Sequence, residues 1–183
     1  MSERTPFDAF RDAVVRGDVD AASRYPAAAR RGLRLFIGRG GCIACHAGAN
    51  FSDGEFHRSR IASRLPGGAP DNGRTLGVAK LLASPYSRSG RFSDDAPAAS
   101  RSVPLAQAGA FRTPGLREVD TTAPYMHDGS VANLCDAVLP HATIDGSPST
   151  ALSFAERLDV VAFLRTLSAP REAIVDEAAV TCR

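Results

Sequence analysis

Apolar residues recur at helical spacing in a few short segments of the chain, and no segment shows a convincing strand-like alternation. In the segment 27–42, Leu33, Phe36 and Ile37 fall at helical spacing, and the glycines that follow would end the helix. A shorter helix is expected at 130–139, because a proline follows that segment. This pattern predicts a mainly α-helical chain.

The segment 153–167 carries the clearest helical pattern. Ser153 and Glu156 have the spacing of a capping box at its start. The apolar stripe consists of Phe154, Leu158, Val161 and Leu164, and it is flanked by Val160, Phe163 and Leu167. A stripe of this width predicts that the helix packs against the core.

The stretch between residues 47 and 110 is rich in Gly, Pro, Ser, Asp and Arg, so it is expected to be irregular with at most short helices. A long irregular stretch within a compact domain is unusual and needs a core to pack against. A large buried cofactor would supply that core. The polar segment 1–27 is interpreted as an N-terminal extension or linker, and the charged segment 170–183 as a tail. Residues 28–169 would then form the domain.

Composition sets the broad class of the protein. The chain has 183 residues, 44% of them hydrophobic, which suits one domain of ordinary size with a real core. A net charge of +2 is too small to indicate nucleic acid or an anionic membrane as the main partner. No apolar run reaches the length of a membrane span, and the first ten residues lack the pattern of a secretory signal.

The motif Cys42-Ile-Ala-Cys45-His46 is the strongest chemical signal in the sequence. Two thiols at this spacing can add to the vinyl groups of a haem while the adjacent histidine binds the iron, which predicts one covalent haem c. A zinc site would need a second ligand pair, whereas Cys135 and Cys182 each stand alone. A redox dithiol would need a βαβ context, which the sequence does not show. Cys135 and Cys182 could pair with each other or remain free thiols.

Four further segments carry a family resemblance. They read RRGLRLFIGRGGCIACHAGANFSDGEFH, DNGR, GAFRTPGLREVDTTAPYMHDGSVANLCDAV and LSFAERLDVVAFLRTL, and they extend from about residue 28 to residue 167. Together they resemble the C-terminal haem domain of the bacterial di-haem cytochrome c peroxidase and MauG superfamily. FRTPGLR and APYMHDGS are the most specific of these motifs. The resemblance implies a class I cytochrome c-like haem domain with long loops.

The resemblance also bears on the second axial ligand of the iron. In the family that ligand follows the PYMHDGS motif, and it is methionine in the peroxidases and tyrosine in the MauG branch. The matching residue here is His141, which gives a bis-histidine iron bound by His46 and His141. The alternative is that His141 is an ordinary loop histidine. Met126 and His127 would then be the next ligands to consider.

Several arginines are candidates for binding the haem propionates, because a partly buried carboxylate needs charge-assisted donors. Arg112 and Arg117 flank TPGL, and Arg74 follows a turn. We expect one or more of the three to serve. The alternative for each is a solvated surface arginine.

The remaining site residues come from the resemblance. It places Tyr125 and His127 in the environment of the haem, with plain packing as the alternative for each, and His57 near the haem edge. The family also binds calcium between its two domains, through carbonyls that match those of Thr122 and Pro124 and an asparagine of the N-terminal domain. Without that domain, half a site would bind calcium weakly.

The family implies an oxidoreductase with two haem domains, of which the N-terminal one reacts with peroxide. Only the second is present here, so the chain is expected to act in peroxide-linked oxidation with a second haem domain or another redox protein. A small cytochrome or a copper protein would donate electrons. The alternatives are a stand-alone electron carrier without catalysis and a single-haem peroxidase with an open iron. The haem anchor and the family imply a periplasmic location.

Overall fold

The computed structural model describes residues 4–58, 69–88, 90–94, 109–138 and 152–170, and helices dominate that part of the chain. The prediction of a mainly α-helical chain is therefore confirmed. The predicted helices at 27–42, 130–139 and 153–167 correspond to the third, fifth and sixth helices described. The helices are α1 Pro6–Arg16, α2 Val19–Ser23, α3 Ala27–Ile37, α4 Arg74–Ala83, α5 Leu134–Val138 and α6 Phe154–Arg165.

Two short strands lie within and just after the segment that the sequence predicts to be irregular. Strand β1, Phe56–Arg58, pairs antiparallel with β2, Ala110–Arg112. Three residues per strand are too few for alternation to be read from the sequence, so the pattern misses both. Helix α4 lies in the same segment, and none of its residues is buried.

Helices α3 and α6 pack against each other and form the centre of the fold. They approach most closely at Gly32, where a β-carbon would overlap the backbone carbonyl of Asp159. The capping box of Ser153 and Glu156 is present as predicted. Of the predicted stripe, Val161 and Leu164 are buried and Leu158 is partly buried, whereas Phe154 lies in the first turn of α6 and its side chain is half exposed. The core residues are Phe36, Phe51, Val119, Leu134, Cys135, Val160, Val161, Phe163, Leu164 and Leu167.

Four phenylalanine rings meet edge to face within this core. Phe51 lies 5.3 Å from Phe7 and 6.1 Å from both Phe36 and Phe163, measured between ring centroids. Phe36 and Phe163 are themselves 5.0 Å apart. Each such pair contributes about 0.5–1.5 kcal/mol beyond its buried area. We call Phe7, Phe36, Phe51 and Phe163 the aromatic cluster; it joins α1, α3 and α6 to the loop after the cysteine motif.

Helix α1 belongs to the segment interpreted as an extension, and its described residues pack on the end of α6. The backbone N–H of Phe7 donates to the carbonyl of Thr166 over 3.1 Å. The hydroxyls of Tyr25 and Thr166 share a buried hydrogen bond of 2.6 Å. Thr5, which is buried, caps α1 together with Asp8 in a capping box. These contacts make α1 a part of the packed core.

An ion pair connects α1 to the FRTPGLR motif. Both carboxylate oxygens of Asp8 accept hydrogen bonds from Arg117, at 2.8 and 2.9 Å, and both side chains are largely buried. Burial by itself would raise the pKa of Asp8, but hydrogen bonds from Arg117 and Thr5 outweigh it and lower the pKa to about 2. The folded protein therefore favours the charged carboxylate.

No helix in the described part of the chain is long and apolar enough to cross a lipid bilayer. The charged tail predicted from residue 170 lies, beyond that residue, outside the described residues.

Replacing Gly32 with alanine should destabilise the protein by about 1–3 kcal/mol, because the added methyl group overlaps the α6 backbone, which cannot move aside cheaply. Urea denaturation followed by circular dichroism measures this. Gly77→Ala is the matched control, since nothing lies within 4 Å of the added atom in α4. It should leave stability unchanged or raise it by up to about 1 kcal/mol. Equal effects of the two substitutions would contradict the close helix approach.

The Asp8–Arg117 pair should give stability a defined acid dependence. A carboxyl whose folded pKa lies below its unfolded value stabilises the protein above the unfolded pKa, and this contribution disappears as pH falls from about 4 to about 2. Asp8→Asn should therefore cost about 1–2 kcal/mol at neutral pH, allowing for solvent screening, and almost nothing at pH 2. Urea denaturation between pH 2 and pH 7 measures the difference from wild type. Asp12→Asn, which removes a more exposed carboxylate of the same helix, is the control and should change this profile much less. If the loss of stability in Asp8→Asn did not depend on pH, the assignment would be refuted.

Candidate cofactor site

The cysteine motif begins on a 3₁₀ turn, Cys42–Ala44, which four residues separate from the end of α3. Gly41 enters the turn with a φ of 67°, a left-handed conformation that glycine adopts without strain. The backbone N–H of His46 donates to the Cys42 carbonyl over 2.9 Å, which extends the turn to the histidine. Residues three apart in a 3₁₀ turn lie on the same side, so Cys42 and Cys45 are directed to one face.

The imidazole of His46 is oriented by a backbone hydrogen bond. Its Nδ1 lies 3.0 Å from the carbonyl oxygen of Phe51, and since a carbonyl only accepts, Nδ1 carries the proton in this bond. That tautomer directs the lone pair to Nε2, the nitrogen by which such a histidine binds a metal. Phe51 itself has a φ of 52°, a left-handed conformation that is unusual for a residue with a side chain.

Both thiols of the motif are free, and both are poor nucleophiles. Burial raises the pKa of Cys42 to about 11. Burial also raises the pKa of Cys45, and the carboxylate of Asp53 raises it further. A catalytic dithiol works through a thiol whose pKa is lowered. The geometry therefore does not favour the redox-dithiol alternative.

Cys45 has two neighbours that could join it as metal ligands. Its sulfur, a carboxylate oxygen of Asp53 and a ring nitrogen of His57 lie within 4.8 Å of one another. Nε2 of His57 is 2.6 Å from Asp53. Cys42 is not part of this group, so the zinc alternative would use only one thiol of the motif. The sequence pattern does not single out Asp53, because an acidic residue in a Gly- and Ser-rich loop is ordinary surface composition.

The three arginines predicted for the propionates have different surroundings. Arg74 lies over the ring of Phe56 at 3.8 Å, and its Nε is buried without a hydrogen-bond partner. Arg112 donates from Nε to the Gly54 carbonyl at 3.2 Å. Arg117 donates from Nε to the carbonyl of Ala49 and from its two terminal nitrogens to Asp8. Arg74 is thus the one of the three with a buried donor that the described residues leave unsatisfied.

Tyr125 and His127 occupy separate positions in the loop before α5. The hydroxyl of Tyr125 donates to the carbonyl of Val119 at 2.9 Å, and burial raises its pKa. The ring of His127 stacks on Phe111 at 3.5 Å and lies 3.8 Å from a carboxylate oxygen of Asp71. Asp71 also accepts a hydrogen bond from the backbone N–H of Gly73, the residue before Arg74. Through Asp71, the structure therefore links His127 to the segment that carries Arg74.

Thr122 and Pro124 lie in the loop that leads to Tyr125, and the Thr122 hydroxyl donates to the carbonyl of Val119. His141 and Cys182 lie outside the described residues. Cys135 lies at the buried face of α5 and is disulfide-bonded.

A half-open crevice of about 320 Å³ lies against the His46 ring. It is mostly apolar, and neither cysteine of the motif lines it. Its walls come from α1, α3, the motif and the loop after it, and Arg117 of the FRTPGLR motif. The lining side chains include Phe7, Leu33, Phe36, Ile43, Phe51 and Arg117.

Comparisons with known proteins agree with the motifs, although no family model matches the chain. Methylamine utilization protein MauG of Methylorubrum extorquens is 34% identical over 183 residues, covering 95% of this chain and 42% of MauG. Cytochrome-c peroxidase IdrP2 of Denitromonas iodatirespirans is 32% identical over 181 residues, covering 92% of this chain and 45% of IdrP2. The chain spans less than half the length of these relatives.

Solved structures share the fold. A MauG-like protein associated with microbial copper homeostasis matches 92% of this chain and 53% of its own, with a TM-score of 0.57 and 24% identity. The diheme peroxidase BthA from Burkholderia thailandensis matches 90% of this chain and 47% of its own, also with a TM-score of 0.57 and 24% identity. The sequence matches confirm the predicted resemblance of this chain to the bacterial di-haem cytochrome c peroxidase and MauG superfamily, and the shared fold agrees with it.

Proposed function

We propose that this chain is a c-type haem domain that transfers electrons in peroxide-linked oxidation, together with a second haem domain. The observation that carries the proposal is the turn at residues 42–46. It directs two thiols to one face and holds the His46 imidazole in the tautomer that binds iron through Nε2. The candidate zinc ligands among the described residues include Cys45 but neither Cys42 nor His46, and dithiol chemistry does not use His46.

The residues present fit a covalent haem c. Cys42 and Cys45 would form the thioethers. His46 would bind the iron. Arg74 would donate to a propionate, which would satisfy its buried Nε. The haem would supply a one-electron couple, and the protein would set its ligands and surroundings.

The second axial ligand is proposed to be His141. This rests on the sequence, where His141 stands at the position at which related enzymes have methionine or tyrosine. Two imidazoles would close the iron to peroxide, so the isolated chain would carry electrons and react poorly with peroxide. If His141 does not bind, the iron would be open and the chain would be a single-haem peroxidase. Met126 and His127 are the next candidate ligands.

The packing of α3 against α6 supports a class I cytochrome c plan. In that plan, the helix that precedes the haem motif and the C-terminal helix of the domain cross beside the haem. Here α3 ends at Ile37, with four residues between it and Cys42, and α6 contributes buried residues to the same core. Irregular segments then surround the cofactor, as the resemblance implies.

The partners follow from the length of the relatives. Because this chain spans less than half of each, we propose that a second haem domain, in the same or another polypeptide, reacts with peroxide. The alternative is a stand-alone electron carrier. A neighbouring gene that encodes another haem domain would argue against this alternative. A small cytochrome or a copper protein would donate electrons in the periplasm. The carbonyls of Thr122 and Pro124 would supply half of a calcium site, which would bind weakly without the second domain.

Holoprotein made with the haem-attachment machinery should contain one covalent haem c. The Soret absorbance should survive acid-acetone extraction, and a pyridine haemochrome assay should give one haem per chain. Cys42→Ala and Cys45→Ala should leave little holoprotein, since each removes a covalent bond. The exposed Ile43→Val, within the same turn, is the matched control and should load normally. Extractable haem, or zinc in place of iron, would disprove the proposal.

His141→Ala should convert a low-spin iron to a high-spin one, because it removes the second imidazole. Visible and resonance Raman spectra measure the spin state, and stopped-flow mixing measures a faster reaction with peroxide. His127→Gln is the matched histidine substitution and should keep the low-spin spectrum. A low-spin His141→Ala protein would exclude His141 as the ligand, and loss of the low-spin signal in His127→Gln would identify His127 instead.

A further inference from the structure

We infer that Arg117 is a positioning residue for the imidazole of His46, and that α1 takes part by holding Arg117 in place. The inference rests on the proposed function, because His46 matters here as an iron ligand. The effect of Arg117 on His46 is indirect. It acts through the loop of residues 47–53, which carries the carbonyl that orients the ring.

Arg117 contacts this loop at two points. Its Nε donates to the carbonyl of Ala49 over 3.0 Å, and its guanidinium carbon lies 5.2 Å from the centre of the Phe51 ring. The first contact fixes the backbone at the start of the loop, and the second covers the side chain of the residue whose carbonyl accepts from His46.

The conformation of Phe51 makes this support necessary. A φ of 52° is costly for a residue with a side chain. Without contacts that hold it, the loop would therefore adopt another backbone conformation. The ring of Phe51 is 8% exposed and packs edge to face on Phe7, Phe36 and Phe163. If the backbone relaxed, the carbonyl would turn away from Nδ1 of His46.

Helix α1 fixes Arg117 from the other side. Asp8 accepts from both terminal nitrogens of Arg117, and the capping box of Thr5 and Asp8 fixes Asp8 at the first turn of α1. A bidentate pair of this kind restricts a long side chain to one orientation. All three guanidinium nitrogens of Arg117 are therefore engaged in holding α1 and the loop together.

The crevice beside His46 provides the space for a looser arrangement. It is lined by the His46 ring, by Phe51 and by Arg117, so it lies where the imidazole or the loop could shift. Removing the Arg117 side chain would also enlarge it. A backbone carbonyl that accepts from Nδ1–H makes an imidazole a stronger electron donor to its metal. Weakening this bond should therefore raise the reduction potential of the haem.

The test compares Arg117→Gln, Asp8→Asn and Arg31→Gln holoproteins with wild type. Arg31 forms a similar two-point pair with Asp159 between α3 and α6, and it serves as the matched control. Two quantities are measured: the midpoint potential of the haem, and the rate at which the ring Nδ1–H of His46 exchanges with deuterated water by NMR. A merely structural ion pair would change neither.

Arg117→Gln should speed the exchange by at least about tenfold and raise the potential, because the Phe51 carbonyl is released. Asp8→Asn should shift both in the same direction but less, since Arg117 can still reach Ala49. Arg31→Gln should leave both unchanged. Unchanged exchange and potential in Arg117→Gln, or equal shifts in Arg31→Gln, would overturn the inference. If Arg117→Gln does not fold, exchange of the His46 Nδ1–H is measured in Asp8→Asn instead. Faster exchange than in wild type would support the inference, and unchanged exchange would overturn it.

The haem content of the wild-type protein separates this inference from the proposed function. A wild-type chain that lacks covalent haem overturns both. A wild-type chain with one covalent haem whose Arg117 variant behaves as wild type overturns only the positioning role.

Discussion

The edge-to-face packing around Phe51 is the interaction on which the other features depend. Its ring sits between α1, α3 and α6, and its backbone supplies the carbonyl that orients His46. The same residue thus belongs to the core and to the candidate site. The core packing and the orientation of the imidazole are therefore coupled through one residue, without contact between the other core side chains of the cluster and the Phe51 carbonyl.

Polar side chains near the site mostly bind backbone carbonyls of loops. Arg117 donates to Ala49, Arg112 to Gly54, and Tyr125 to Val119. The family motifs that contain these residues thus stabilise irregular backbone, which has few repeating hydrogen bonds of its own. This explains how long loops hold a defined shape beside the candidate site. Arg74, with its buried and unsatisfied Nε, differs from the others and suits a carboxylate that is not part of the polypeptide.

The sequence predicts the helices of the core because their signals are local. The Ser153–Glu156 capping box and the apolar spacing in α3 need only neighbouring residues, and both are present in the structure. The motif at Cys42 is equally local. The exposure of Phe154 is not predicted, because an apolar residue in a first turn fits the periodic pattern whether or not a partner covers it.

What the sequence does not predict depends on distant pairs or on backbone conformation. Asp8 and Arg117 are 109 residues apart, and neither carries a signal that names the other. The left-handed backbone of Phe51 has no composition marker, since glycine is the usual residue there. The strands β1 and β2 are too short to show alternation. The interpretation of residues 1–27 as an extension likewise reflects a polar pattern whose few apolar residues, Phe7 and Tyr25 among them, find partners only in the folded protein.

The hydrogen bond from Phe7 to Thr166 brings the two ends of the described fold to one corner. Chain that precedes α1 and chain that follows α6 therefore join the domain at neighbouring points. A domain with adjacent entry and exit can be inserted into a host protein, or circularly permuted with a short linker, without disturbing its interior. The fold thus has the form of a transferable module, which can be joined to different neighbours through a single corner.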